Sequence, residues 1–170
     1  MRNLIFILLI IICGCSEKRV LIDDLTIKRM GYADDDCYNT YNRVAYYESK
    51  LFTGLAFDVC GNGNIKEEIN YFKGKKDGMH IKWWCSSDNI HLEFERGYKN
   101  GLRHGLWREY SPAGDWPWDE RYYEMGKCYP VGVEKHWDEE TGNISFEGHW
   151  EGQELIADKC YRNGMLVKCE

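Results

Sequence analysis

The sequence predicts an all-β protein: stacked antiparallel β-hairpin repeats forming an elongated twisted sheet, preceded by a cleaved N-terminal signal. Three observations predict it. Glycines Gly54, Gly78, Gly105 and Gly132 recur at spacings of 24, 27 and 27 residues. The first residue after each is apolar (Leu55, Met79, Leu106, Val133), and so is the fifth (Val59, Trp83, Tyr110, Trp137). In a strand of period two these positions share a face. Clusters of Gly, Asn, Asp, Ser, Thr and Pro then follow each segment, at 61–64, 86–89, 112–115 and 140–143. Such residues accept positive φ or bond their own backbone, so the chain doubles back there.

The chain opens with Arg2, an apolar run of 10 residues from Leu4 to Cys13, then Gly14 and Cys15. A helix of that length reaches only about 15 Å into a hydrocarbon core of about 30 Å, which reads as an export signal rather than a membrane span. Ile12–Cys15 resembles the lipobox of bacterial lipoproteins. That resemblance implies lipidation of Cys15, a signal peptide over 1–14, and a membrane partner reached through the lipid. One acyl chain holds weakly and two hold firmly. The expected location is the bacterial cell envelope, with its facing left open. Ser16–Arg19 would be a short tether.

Residues 15–43 read as tether and N-terminal cap. Val20 to Lys28 predicts one strand or a short helix, and Asp34–Asp36 a solvated acidic loop without the D-x-D-x-D-G spacing of a calcium site. The repeat array spans 44–152, with Val44–Tyr47 expected to pair with the first repeat. A second alternating segment in each unit runs to an aromatic residue: Tyr71, Tyr98, Tyr123 and Trp150, spaced 27, 25 and 27 residues. Gly74, Gly101 and Gly126 follow the first three. Lys73–Lys76 falls in the first of these links and predicts a solvated loop. One hairpin cannot bury its own apolar face, so neighbours must supply each other's core. Residues 153–170 form a C-terminal cap, with Met165–Val167 as a closing edge strand.

These units resemble the variant MORN-repeat family, in which an aromatic-x-x-Gly turn leads through a polar link to Gly, an apolar residue and an aromatic strand. Tyr98–Tyr110 carries the pattern most fully. The resemblance implies the hairpin fold and, for bacterial lipoprotein members labelled as antitoxin components of toxin–antitoxin systems, neutralisation of a toxin.

Charge and cysteines narrow the function. Without residues 1–14 the chain carries 21 Lys and Arg against 28 Asp and Glu, interleaved, which excludes a basic stripe for nucleic acid. Cys37, Cys60, Cys85, Cys128, Cys160 and Cys169 favour disulfides in an exported chain. Their connectivity stays open, although proximity suggests Cys160–Cys169. No C-x-x-C pair or HExxH motif offers a metal site, so neither metal nor cofactor is expected. No nucleophile elbow or phosphate loop occurs either. The neighbouring carboxylates Glu67/Glu68, Asp119/Glu120 and Glu139/Glu140 point to opposite faces of a strand and read as solvated edges. The chain therefore reads as a non-enzyme. Binding candidates are Trp116 and Trp118, which flank Pro117 in a turn, and Trp84, Trp107 and His80, placed opposite the repeated apolar positions or just beyond them. A protein partner is the favoured reading; a glycan or peptidoglycan is the alternative for the tryptophans.

Overall fold

A computed structural model describes residues 17–32, 41–85, 91–112 and 116–169. Cys15, Cys37, the signal segment, Asp34–Asp36 and the turn at 86–89 lie outside the described residues. An 11-stranded sheet dominates, in the order β1-β5-β6-β7-β8-β9-β10-β11-β12-β13-β14, and β2-β3-β4 form a separate small sheet. The ranges are β1 Arg19–Leu21, β2 Thr26–Tyr32, β3 Tyr41–Tyr47, β4 Lys50–Leu51, β5 Gly54–Val59, β6 Ile65–Phe72, β7 Lys75–Trp84 and β8 His91–Lys99. Then follow β9 Leu102–Tyr110, β10 Pro117–Tyr123, β11 Gly132–Trp137, β12 Ile144–Glu151, β13 Glu154–Arg162 and β14 Met165–Val167.

From β5 onward every neighbour in the sheet is also the neighbour in sequence, and every pairing is antiparallel. The hairpin array thus follows from local turns. All seven glycines of the repeat have positive φ, from 71° at Gly132 to 141° at Gly54. At Gly54 a Cβ would also stand 2.1 Å from the Lys18 carbonyl oxygen, so a side chain there would expel the N-terminal segment from the sheet.

That segment differs from the sequence expectation. Val20 to Lys28 is neither one strand nor one helix: β1 ends in a 3-10 turn at Ile22–Asp24 and β2 begins in the other sheet. Val44–Tyr47 does not pair with the first repeat. It lies in β3 between β2 and β4, and β1 instead pairs with β5, in parallel. Isolated bonds join the two sheets, with Ala45 N–H donating to Gly74 O (2.7 Å) and Gly74 N–H to Phe52 O (2.7 Å). Beneath them sits the apolar core, where Val20, Ala45, Phe52, Ala56, Ile69 and Tyr71 are all buried.

Disulfides hold both ends of the array. Cys60–Cys85 ties the first hairpin to the second, and Cys160–Cys169 secures the terminal strand as proximity suggested. Cys128 is disulfide-bonded as well. By loop-closure entropy alone, the 25-residue and 9-residue separations contribute about 3.5 and about 2.6 kcal/mol.

Candidate functional site

Register sorts the large sheet into two faces. On the outer face the direct partners run Phe57, Glu68, Ile81, Glu95, Arg108, Glu120, Lys135, Glu147 and Lys159 across nine strands. From Glu95 onward the sign alternates at every step. Arg108 bonds Glu120 at 2.6 Å and reaches Glu95 at 3.9 Å, while Lys159 bonds Glu147 at 2.7 Å. Opposite charges on facing residues favour this register and disfavour slipped ones. Beside this ladder runs a mixed column in which Leu55, Met79, Leu106, Tyr122 and Val133 are interspersed with Asn70, Gly97 and His149. Of its apolar members Met79, Tyr122 and Val133 are exposed, with Val133 at 43 %. The repeated residue after each glycine therefore faces outward.

The inner face carries the buried side chains, and it includes two of the predicted binding residues. His80 is only 6 % exposed, its ring edge-on to Phe94 at 4.8 Å. Trp107 packs between the tilted rings of Tyr98 (5.3 Å) and Tyr123 (5.2 Å), and its indole N–H donates to Gly97 O. His80 is thus a buried residue and Trp107 a half-buried one packed among rings, not an exposed sticky side. Trp84 is the exposed one, at 42 %. Trp116 and Trp118 are half-buried. The Trp116 ring lies so close to Gly142 that a Cβ there would meet it at 2.9 Å, so this indole joins the third hairpin's turn to the fourth's. Among the described residues its buried N–H has no hydrogen-bond partner. The five residues do not converge on one site.

The structure instead gathers ionisable groups on the inner face, in two clusters. In the first, Lys76 Nζ lies 2.9 Å from His80 Nδ1, and His80 Nε2 lies 2.5 Å from Glu67 Oε1. An ammonium group only donates, so with Lys76 charged Nδ1 accepts and Nε2–H donates to the carboxylate. The imidazole is then neutral. Burial, with Lys76 beside it, pushes the His80 pKa down against the pull of Glu67. The His80 hydrogen bond holds the Glu67 carboxyl below its usual range. Burial drives Lys76 down to about 8, helped by Arg43 and Arg96 and opposed by Glu67. The expectation of a solvated Lys73–Lys76 loop fails here: Lys75 and Lys76 open β7, and the alternation of that strand turns Lys76 inward onto His80.

The second cluster joins β10, β11 and β12. Glu134 Oε1 accepts from Arg121 Nε and His136 Nε2, each at 2.7 Å, and Oε2 accepts from the Trp150 indole at 2.6 Å. Burial opposes ionisation of Glu134, but these donors outweigh it and hold its pKa low. Asp119 goes the other way. Burial raises it, with the nearby Glu134 and Glu109 carboxylates adding to the rise, against the pull of Arg121 and His136; Arg121 Nη2 approaches Oδ2 at 2.7 Å without hydrogen-bond alignment. Asp119 is therefore no solvated edge, although its neighbour Glu120 lies on the outer ladder as strand alternation requires.

Asp119, Glu134 and His136 bring possible ligand atoms within 4.8 Å of one another. Arg121 already supplies the cation at their centre, so the chemistry of the cluster is that of a closed ion network. Asp158, Cys160 and Cys169 also group, but both sulfurs are tied in the disulfide. Nothing in the sequence spacing marked either ionic cluster, because cross-strand partners lie in different hairpins. Comparison with protein-family models, with curated proteins and with solved structures finds no match to this chain.

Proposed function

We propose that this chain is a non-catalytic, lipid-anchored envelope protein whose outer sheet face binds a protein partner. One observation carries the reading: Met79, Tyr122 and Val133 are all exposed on the outer face of the sheet, beside a charge ladder whose members largely neutralise one another. Exposed apolar residues set together on a fixed scaffold mark contact surfaces. The lipobox-like Ile12–Cys15 supports the anchor, and the MORN-like units support toxin neutralisation as one form of the interaction.

The test is a photo-crosslinking residue placed at Met79 in the full-length protein in its native bacterium. A single dominant protein adduct that disappears with Val133→Lys, while membrane fractionation and folding are unchanged, is the expected outcome. An adduct indifferent to Val133→Lys, or none, removes the outer face as the contact. Cys15→Ser must release the protein from membranes if the anchor is there. Quenching of tryptophan emission by soluble wall fragments would move the reading to a glycan binder, with the exposed Trp84 as its first contact.

A further inference from the structure

We propose that Lys76 is a site of reversible covalent attachment, its amine positioned by the His80–Glu67 pair to condense with the carbonyl of a small aldehyde or ketone. Geometry is the first support. Lys76 Nζ is fixed by one hydrogen bond to His80 Nδ1, and Glu67 fixes the imidazole in turn, so the amine has a defined direction. In its neutral form the amine still donates one N–H to Nδ1. The lone pair then points away from the ring.

The surroundings lower the barrier to that neutral form. Lys76 is packed rather than free in water, the Tyr98 ring lies 5.0 Å from Nζ, and the side chain remains partly exposed. Charged and titratable groups face it from four strands: Glu67 and Tyr71 from β6, His80 from β7, Tyr98 and Arg96 from β8, and Arg43 from β3. Arg96 is the direct cross-strand partner of His80, and among the described residues its buried Nε has no hydrogen-bond partner. Of these groups only Glu67 favours the ammonium by charge. A desolvated amine beside other cations is the arrangement that activates lysine toward carbonyl compounds.

The chemistry balances within the named groups. Lys76 loses one proton to solvent, its nitrogen attacks the carbonyl carbon as the C=O π bond opens onto oxygen, and a second proton passes from that nitrogen to the oxygen to give a neutral carbinolamine. Loss of water leaves the imine, and addition of water reverses it. No oxidant or reductant takes part.

The test treats the whole purified chain with limiting formaldehyde and cyanoborohydride, which reduces each imine to a methylamine, and reads every lysine by peptide mass spectrometry. At pH 7.5 Lys76 is expected to be modified at least about tenfold faster than the exposed Lys50 and Lys73, since an amine with a pKa of about 8 is about a quarter neutral there. Its rate against pH should bend near pH 8. Glu67→Gln keeps an acceptor for His80 Nε2 but removes the charge that holds the proton on Lys76. That bend should therefore move to lower pH, a change that loss of packing alone would not produce. Labelling of Lys76 no faster than Lys50, or a bend near pH 10, overturns the proposal. Both are read on the unsubstituted chain, so they decide even if Glu67→Gln fails to fold.

Discussion

The two faces of the large sheet are built by different rules. Outside, an apolar residue follows each repeat glycine, and from Glu95 onward the cross-strand row beside it alternates in charge from strand to strand. Inside, equivalent positions drift. Ala56 in the first hairpin corresponds to His80, Trp107 and Glu134 in the next three, and Ile69 corresponds to Arg96, Arg121 and Gly148. Where the small sheet covers the inner face, the core is apolar. Farther along, buried polar groups satisfy one another instead, as Glu134 does with three donors. The regular face holds register, and the irregular face holds most of the burial.

Substitutions on the inner face should therefore cost most. Phe52→Ala removes a ring that is 2 % exposed and edge-on to Tyr71 at 5.8 Å, and is expected to cost about 4 kcal/mol in denaturant unfolding. Glu134→Ala strands Arg121, His136 and the Trp150 indole without their acceptor. Its expected cost is about 3 kcal/mol, at the lower end for a buried pair because Arg121 reaches solvent. If either costs less than a surface substitution, the division between faces is wrong.

On the outer face the expected effect is smaller and salt-dependent. Arg108→Glu sets three carboxylates in a row with Glu95 and Glu120 and should cost about 1 kcal/mol at low ionic strength, shrinking in high salt. An effect insensitive to salt would mean that Arg108 acts through packing rather than charge.

The smallest effect is the most diagnostic. Burial raises the Asp119 pKa, so the folded state opposes its charge above the ordinary carboxylate range and gains stability as pH falls through its folded value. Glu67 and Glu134 have depressed values and lose their contribution as pH falls through them. His80, also depressed, contributes fully above its ordinary 6.5 and progressively less below it. Asp119→Asn should thus be neutral to slightly stabilising at pH 7, with the advantage vanishing on acidification, as read from melting temperatures at pH 7 and pH 4. Destabilisation at pH 7 would show that the Arg121 ion pair outweighs the burial of Asp119.

This contrast also explains what could be read from the sequence. The hairpins, their glycine turns, the closing strand at Met165–Val167 and the Cys160–Cys169 bridge depend on residues close together in the chain, and spacing reveals them. The period-two pattern correctly groups Leu55, Met79, Leu106 and Val133 on one face, but periodicity does not say which face is covered. Here the covering layer is the small sheet, whose pairing with itself rather than with the first repeat no local signal specifies. Lys76, His80 and Glu67 meet across β6 and β7, and Asp119, Glu134 and Trp150 across three strands. Such meetings require the register, which a single hairpin's sequence does not contain.

The parallel pairing of β1 with β5 has a consequence for the order of assembly. Each hairpin after β5 closes over a short loop, and short loops form quickly. Arg19 must instead wait for Leu55, with the whole small sheet made in between. Closing that pairing costs more chain entropy than closing any hairpin turn. The seam at Gly54, where a carbonyl sits in the space of a missing side chain, can therefore open without disturbing any neighbour pairing from β5 onward.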